Sequence, residues 1–327
     1  MMPRTLVTGA FGCIGAWVVR GLVDAGERPV LLDFGTDPWR VRMIAGDDRL
    51  RQATLLQGDI ADGERLAGVV REHRITRIIH LAAWQVPLCR QDPVGGARVN
   101  VIGTNNVFEA VKANPGQVER VVYVSSAAVF GPASLYDGPV GDDAARLPAT
   151  HYGVYKVANE DCAKVYWAES RIPSIGFRPL SVYGPGRDFG LTADPTLAIK
   201  AAVLGRPFRI RWGGASDLVY TADVAAALIA AANSSLDGAR VYNLHGESVA
   251  IADIPGLIEA TLPGAKGLIS YDPTPIPFPA ALSDEGYQRD LGPRPRTSFA
   301  DGLRQTIEEF QALRKAGRLD ARELPAA

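Results

Sequence analysis

Six short runs in the first 180 residues are apolar or β-branched almost throughout: RTLVTG at 4–9, RPVLLD at 28–33, ATLLQGD at 53–59, RIIHLAA at 77–83, RVVYVSS at 120–126 and PSIGFRP at 173–179. Longer stretches with helical periodicity lie between them, at about 13–25, 63–73, 94–113 and 152–170. Strands with no polar face are buried on both sides, as in a parallel sheet covered by helices. The alternation of strand and helix predicts an α/β fold built on a doubly wound parallel sheet.

Past residue 180 the rhythm changes. Gly and Pro become denser and the runs shorten. The pattern predicts a helix over 193–204, strands at PFRIRW and DLVY, the helix TADVAAALIAAAN, the strand ARVYNL and a last amphipathic helix in SFADGLRQTIEEFQALRKAG. The proline-rich segment 271–296 reads as an ordered loop wrapped on the surface, and the tail ELPAA as frayed. Two domains follow: 1–180 for the parallel sheet and 181–327 mainly for substrate, with part of 216–245 returning to the first.

Composition narrows the class. The chain has 327 residues, 47% hydrophobic and 22% charged, with a net charge of -1. Nothing in that balance favours nucleic acid or an anionic membrane as a partner, and no apolar run reaches the length of a bilayer span. The start, MMPRTLVTGAFGCIG, runs straight into a strand and a glycine turn rather than a secretory signal. Cys13, Cys89 and Cys162 are scattered and, like the four histidines, lack ligand spacing. We expect a cytoplasmic protein with reduced thiols and no metal.

TGAFGCIG places Gly9, Gly12 and Gly15 between the first strand and the first helix. Glycines there let the backbone turn sharply and approach a pyrophosphate, and the helix start offers N–H groups and a positive dipole end. A plain tight turn is the rival reading. Asp33 follows at the end of the second strand, about 20 residues on, where a carboxylate holds a ribose diol and repels a 2′-phosphate. The cofactor expected in this Rossmann arrangement is therefore NAD. Arg40 and Arg42 nearby keep NADP as the alternative. Asp59 and Ile60, after the third strand, are placed to line the adenine, although Asp59 serves equally as a helix-capping turn residue.

HYGVYK at 151–156 holds two tyrosines and a lysine. On a helix Tyr152 and Lys156 share a face, whereas Tyr155 and Lys156 splay by about 100°. The pair able to act together is Tyr152 with Lys156. A phenol has a pKa of about 10, and nearby positive charge favours its phenolate. The alternative is a surface tyrosine and a solvated lysine. YVSSAAVFG brings Ser125 and Ser126 to the carboxyl end of the fifth strand, where such sheets bind ligands. Either serine can bond a substrate hydroxyl, or both can simply cap a turn.

Taken in order, TGAFGCIG, GDI at 58–60, HLAA at 80–83, VNVIGTNNV at 99–107, YVSSAAVFG, YGVYK, FRPLSVYGPG at 177–186 and LVYTADVA at 218–225 make the chain resemble the extended short-chain dehydrogenase/reductase family over nearly its whole length. That family includes nucleotide-sugar epimerases, dehydratases and related dehydrogenases. The resemblance implies that Tyr152 is the acid/base, that Lys156 binds the nicotinamide ribose and lowers the Tyr152 pKa, and that Ser126 orients the hydroxyl. It places Phe11, Cys13, Ile14, Leu81, Ala82, Ala83 and Val124 along the cofactor, with Asn100 at a position that supports the active site. It also implies a homodimer through the helices near 96–113 and 151–170.

Three departures from the family pattern bear on the chemistry. Where dehydratases carry an Asp-Glu pair after the active-site Ser/Thr, this chain has Ala127 and Ala128, which move no protons. Where nucleotide-sugar enzymes carry an Arg that grips the diphosphate, it has Ser216, and Ser181 stands where they often have Asn. Without that handle a ketone intermediate is less firmly held, so net hydride transfer is favoured over epimerisation. Candidates to hold a substrate are Arg187, Trp84, Gln85, Ser125, Ser126, Ser181 and Ser216. Arg209 and Arg211 share one strand face and read slightly better as a solvated face. The expected function is an NAD-dependent dehydrogenase acting on a secondary hydroxyl of a sugar, sugar acid or similar small molecule. An epimerase with tightly bound NAD is the alternative, and a non-catalytic NAD-binding sensor the third.

Overall fold

A computed structural model describes residues 3–324. Its strands are β1 (Thr5–Thr8), β2 (Val30–Asp33), β3 (Thr54–Gln57), β4 (Arg77–His80), β5 (Arg120–Val124), β6 (Ser174–Pro179), β7 (Ser181–Tyr183), β8 (Phe208–Ile210), β9 (Ala215–Tyr220), β10 (Ala239–Leu244), β11 (Glu247–Ala250) and β12 (Ile269–Tyr271). The helices are α1 (Cys13–Asp24), α2 (Trp39–Ala45), α3 (Asp47–Leu50), α4 (Gly63–Glu72), α5 (Val86–Gln91), α6 (Pro93–Ala97), α7 (Gly103–Lys112), α8 (His151–Ser170), α9 (Asp194–Leu204), α10 (Thr221–Ala232), α11 (Ile254–Thr261), α12 (Glu285–Leu291) and α13 (Phe299–Lys315). None of the described helices is long and apolar enough to cross a membrane.

Seven strands form one parallel sheet in the order β10-β6-β5-β4-β1-β2-β3. Alternation along each strand divides the side chains between two layers. Val7, Leu31, Ile79, Val122 and Ile175 pack in the core that holds the buried faces of α1, α2 and α10. Leu6, Val30, Leu32, Ile78 and Val121 pack in the core on α4 and α7. Each such side chain contributes about 1.5–3 kcal/mol when fully buried, against about 1–2 kcal/mol of backbone entropy lost per residue. The strand order reverses between β1 and β4, and the crevice beyond their carboxyl ends is where this architecture binds ligands.

The second half crosses between layers. β10 adds to the large sheet beside β6, so the chain returns to it after β9. β7, β9 and β11 form a small sheet, β8 and β12 a two-stranded one, and α9, α11 and α13 close over a separate core that includes Trp212, Ile254 and Phe310. The predicted helix at 94–113 is broken into α6, a π turn over Arg98–Ile102, and α7. The proline-rich loop contains α12, and its Pro277 and Phe278 reach the central cleft rather than lying only on the surface. The tail expected to fray is packed as far as it is described: Glu323 pairs with Lys200 at 3.1 Å and Leu324 is buried. Residues 325–327 of that tail lie outside the described residues.

Candidate active site

β1 ends against its neighbour so closely that only glycine can follow it. Gly9 has φ 65°, and a Cβ there would fall 2.6 Å from the Ala82 amide nitrogen. Gly12 caps α1 without a side-chain hydrogen bond, which leaves the first-turn N–H groups for an anionic ligand. At the tip of β2 the Asp33 carboxylate accepts from the Phe11 N–H at 2.8 Å and the Gly35 N–H at 2.9 Å, so it is fixed beside the turn. These groups fit a dinucleotide: a phosphate-sized cradle of backbone donors, then an acid positioned for a ribose. Arg40 is committed to Asp188 through two bonds of 2.8 Å, and Arg42 to Asp37 at 2.7 Å. Neither is left to attract a 2′-phosphate.

From this turn a cleft of about 1080 Å³ runs across the ends of β4 and β5 to the second half of the chain. Thr150 caps α8 by accepting from the Gly153 N–H at 3.0 Å. Gly153 lets the helix start touch the β5 loop, since a Cβ there would fall 2.2 Å from the Ala128 carbonyl oxygen. The first turn of α8 thereby carries Tyr152 and Lys156 into the cleft beside Ser126. The Lys156 ammonium lies 5.4 Å from the centre of the Tyr152 ring and donates to the Val124 carbonyl at 2.7 Å. Burial lowers the Lys156 pKa to about 8, opposed by the neighbouring Cys89 and Glu160 side chains. Burial also pushes the Tyr152 phenol up to about 12, while the Ser126 hydroxyl and the charge of Arg187 pull it down. The protein alone thus keeps Tyr152 protonated, rather than lowering its pKa as the lysine spacing suggested.

Two buried arrangements hold this site from behind. Glu160, one turn beyond Lys156, accepts from Arg178 at 2.7 Å through both oxygens, from Ser125 at 2.5 Å and from Arg146 at 3.2 Å. It ties α8 to the ends of β5 and β6. On the other side, Asn100 in the π turn donates to the Trp84 carbonyl at 3.2 Å and the Gly96 carbonyl at 3.1 Å. π turns recur at functional sites, where they redirect a side chain without ending the helix.

The cleft gathers Gly9, Phe11, Gly12, Cys13, Ile14, Gly15 and Asp33 with Asp59, Ile60, Leu81, Ala82, Ala83 and Val124. It also holds Trp84, Gln85, Ser125, Ser126, Tyr152, Lys156 and Arg187. Asp59 is at the same time a turn residue, accepting from the Ala61 N–H at 2.8 Å. Three expected residues are not brought in. Asn100 is 1% exposed and does not line the cleft, so it positions rather than contacts. Ser181 and Ser216 are fully buried and bond each other at 2.8 Å across β7 and β9, which removes both from the substrate set. Arg209 and Arg211 pair with Asp272 at 3.0 Å and Asp194 at 2.7 Å, away from the cleft. Tyr155 donates to the Pro93 carbonyl at 2.7 Å and packs between helices. Sequence reasoning missed Thr150, Leu180, Thr192, Pro277 and Phe278, which also line the cleft. A Thr just before a helical run is a cap signal that pointed to Thr150. Nothing local marks Pro277 or Phe278.

Against known proteins, the profile of the NAD dependent epimerase/dehydratase family matches residues 5–244. The chain belongs to that family. Its members are extended short-chain dehydrogenase/reductases, and NAD is its cofactor. A UDP-glucose 4-epimerase of Mycolicibacterium smegmatis is 29% identical, covering 94% of this chain and 98% of its own length. Among solved structures, MoeE5 in complex with UDP-glucuronic acid and NAD is 28% identical with a TM-score of 0.79, covering 94% of this chain and 99% of its own. A UDP-glucose 4-epimerase from Thermotoga maritima, solved with UDP-glucose, has a TM-score of 0.83 at 23% identity, covers 94% of this chain and 99% of its own, and supports the fold. Ala127 and Ala128 are buried apolar residues, and the hydroxyls of Ser216 and Ser181 bond each other.

Proposed function

We propose that the protein is an NAD-dependent dehydrogenase that oxidises a secondary hydroxyl of a sugar, sugar acid or similar small molecule, or reduces the matching ketone. The observation that carries this reading is the meeting of Ser126, Tyr152 and Lys156 in one cleft with the glycine turn and Asp33. The glycine turn and Asp33 would hold NAD, which would supply the acceptor for the hydride of the carbinol carbon. Ser126 would hold the substrate oxygen, and Tyr152, as the phenolate left after its own proton has gone to solvent, would take the hydroxyl proton as the carbonyl forms. Lys156 has one N–H on Val124, which leaves two donors for a ribose hydroxyl and places a positive charge beside the phenol. Positive charge brought in with the oxidised cofactor acts in the same direction, lowering a phenol that burial alone raises.

An epimerase is the second reading, favoured by the UDP-glucose 4-epimerase relative. The two separate by measuring reduced nicotinamide. A screen of free sugars, aldonic and uronic acids and nucleotide sugars with NAD+ yields stoichiometric NADH under the dehydrogenase reading. Sugar interconversion with no net change in nicotinamide absorbance refutes it. The proposal includes a homodimer, supported by exposed Val94, Ile102, Val154 and Val165 on the helical segments around 93–112 and on α8. Light scattering at the monomer mass contradicts that part.

A further inference from the structure

Four arginines line the cleft, and they differ in what neutralises them. Arg40 is held by Asp188 and Arg98 lies 3.6 Å from Asp59. Arg90 is exposed at the rim. Arg187 is half-buried and pairs with no carboxylate among the described residues. Its Nη1 donates to the Gln85 side-chain oxygen at 3.3 Å and its Nη2 to the Thr192 hydroxyl at 3.0 Å. Its Nε is buried without an acceptor. Two neutral partners fix the guanidinium in place but leave its charge uncompensated.

The neighbouring residue sharpens this. Asp188 follows Arg187 directly, yet both of its oxygens are taken by Arg40. The acid best placed to quench Arg187 is thus withdrawn from it. A positioned guanidinium with no carboxylate partner and a buried, unsatisfied Nε favours a ligand that supplies an anion. Arg187 lines the same cleft as Ser126 and Tyr152, so an anion bound there shares that cleft with the reacting hydroxyl. Gln85 follows β4 and Thr192 lies in the second half of the chain, so the guanidinium bridges the two walls of the substrate end. The phosphate turn has its own backbone donors and does not need it.

We propose that Arg187, seated on Gln85 and Thr192, anchors the carboxylate of the substrate, which makes the substrate a free hydroxy acid of sugar type rather than a neutral sugar. A planar fork of N–H donors matches a carboxylate, and a single such fork suits one carboxylate better than a nucleotide diphosphate. This rests on the dehydrogenase reading above and narrows it.

The test uses the full chain with NADH for binding and NAD+ for turnover. D-gluconate and D-galacturonate are compared with glucose, galactose, UDP-glucose and UDP-glucuronate, in wild type, Arg187→Gln and Arg209→Gln. Loss of a charge-assisted contact corresponds to about a 10- to 100-fold change. The expected result is that free acids bind the NADH complex, and that Arg187→Gln weakens this by about that factor. NADH affinity stays unchanged in Arg187→Gln, and Arg209→Gln, whose side chain lies outside the cleft, behaves as wild type. Acid binding that does not respond to Arg187→Gln overturns the proposal. So does a loss of NADH affinity in that variant, which makes Arg187 a cofactor residue, or an Arg187-dependent preference for the UDP-sugars. Turnover of neutral sugars without acid binding sinks this proposal but leaves the dehydrogenase reading. Arg187-dependent acid binding without NADH formation from any compound supports the anion site and sinks the dehydrogenase.

Discussion

The Lys156 ammonium donates to the carbonyl of Val124 at 2.7 Å, joining the cleft-facing side of α8 to the last residue of β5. This bond sets where the charge sits relative to Tyr152. Lys156→Met removes both the tie and the charge. NADH affinity is expected to fall about tenfold, the loss of one charge-assisted hydrogen bond, and turnover to fall by more than about 100-fold, the lower range for a disabled acid/base. Lys156→Arg keeps a charge but not a compact ammonium, and is expected to restore little. Fluorescence titration and initial rates read the two effects separately.

Asp33 is held by the N–H groups of Phe11 and Gly35 at the tip of β2. Asp33→Ala is expected to weaken NADH about 10- to 100-fold, as for the loss of a charged hydrogen-bond partner, and to weaken NADPH far less. The ratio of the two dissociation constants reports it. An unchanged ratio removes Asp33 from cofactor choice.

His80 is buried between Thr8 at 2.7 Å and Thr104 at 3.1 Å, and burial, aided by the Lys156 charge, lowers its pKa to about 3. Below pH 6.5 the unfolded chain gains a proton there that the folded chain refuses. Stability therefore rises with pH from about 3 to 6.5 and is lost on acidification, at about 1.4 kcal/mol per pH unit. Urea unfolding at pH 6.5 and 5.0 is expected to differ by about 2 kcal/mol from this residue. His80→Asn flattens that part of the profile even where its baseline stability is lower.

Glu160 is fully buried and shared by Arg178, Ser125 and Arg146. Glu160→Ala leaves buried arginine charge without its partner and is expected to cost about 3–5 kcal/mol. Replacing Ser125, which gives one neutral bond to the same carboxylate, is expected to cost about 1 kcal/mol. Chemical denaturation of both variants checks the order, and equal losses contradict the network as described.

Much of this was legible in the sequence because it is local. β1 and β2 are apolar or β-branched almost throughout because both faces are covered, and the turn between β1 and α1 needs glycine at position 9 for steric reasons. The spacing of Tyr152 and Lys156 singled out the tyrosine that lines the cleft, whereas Tyr155 turns away to Pro93. Non-local features escaped. The burial of Ser181 and Ser216 against each other depends on β7 meeting β9, a pairing between segments about 35 positions apart that no local pattern encodes. The π turn over Arg98–Ile102, which holds Asn100, leaves no signal in the local pattern. The rise of the Tyr152 pKa has the same origin: the spacing to Lys156 is visible in the sequence, but the burial that raises the phenol is not.

The central claim is that Tyr152 moves the substrate's proton, and Tyr152→Phe tests it most directly. The phenyl ring keeps the shape of the cleft wall and removes only the hydroxyl. Initial rates of NADH formation are measured beside NADH affinity in the same preparation, with the best substrate from the screen. The account predicts affinity within about threefold of wild type and a turnover lower by at least about 100-fold. Turnover within a few-fold of wild type would contradict it and pass the proton to another group.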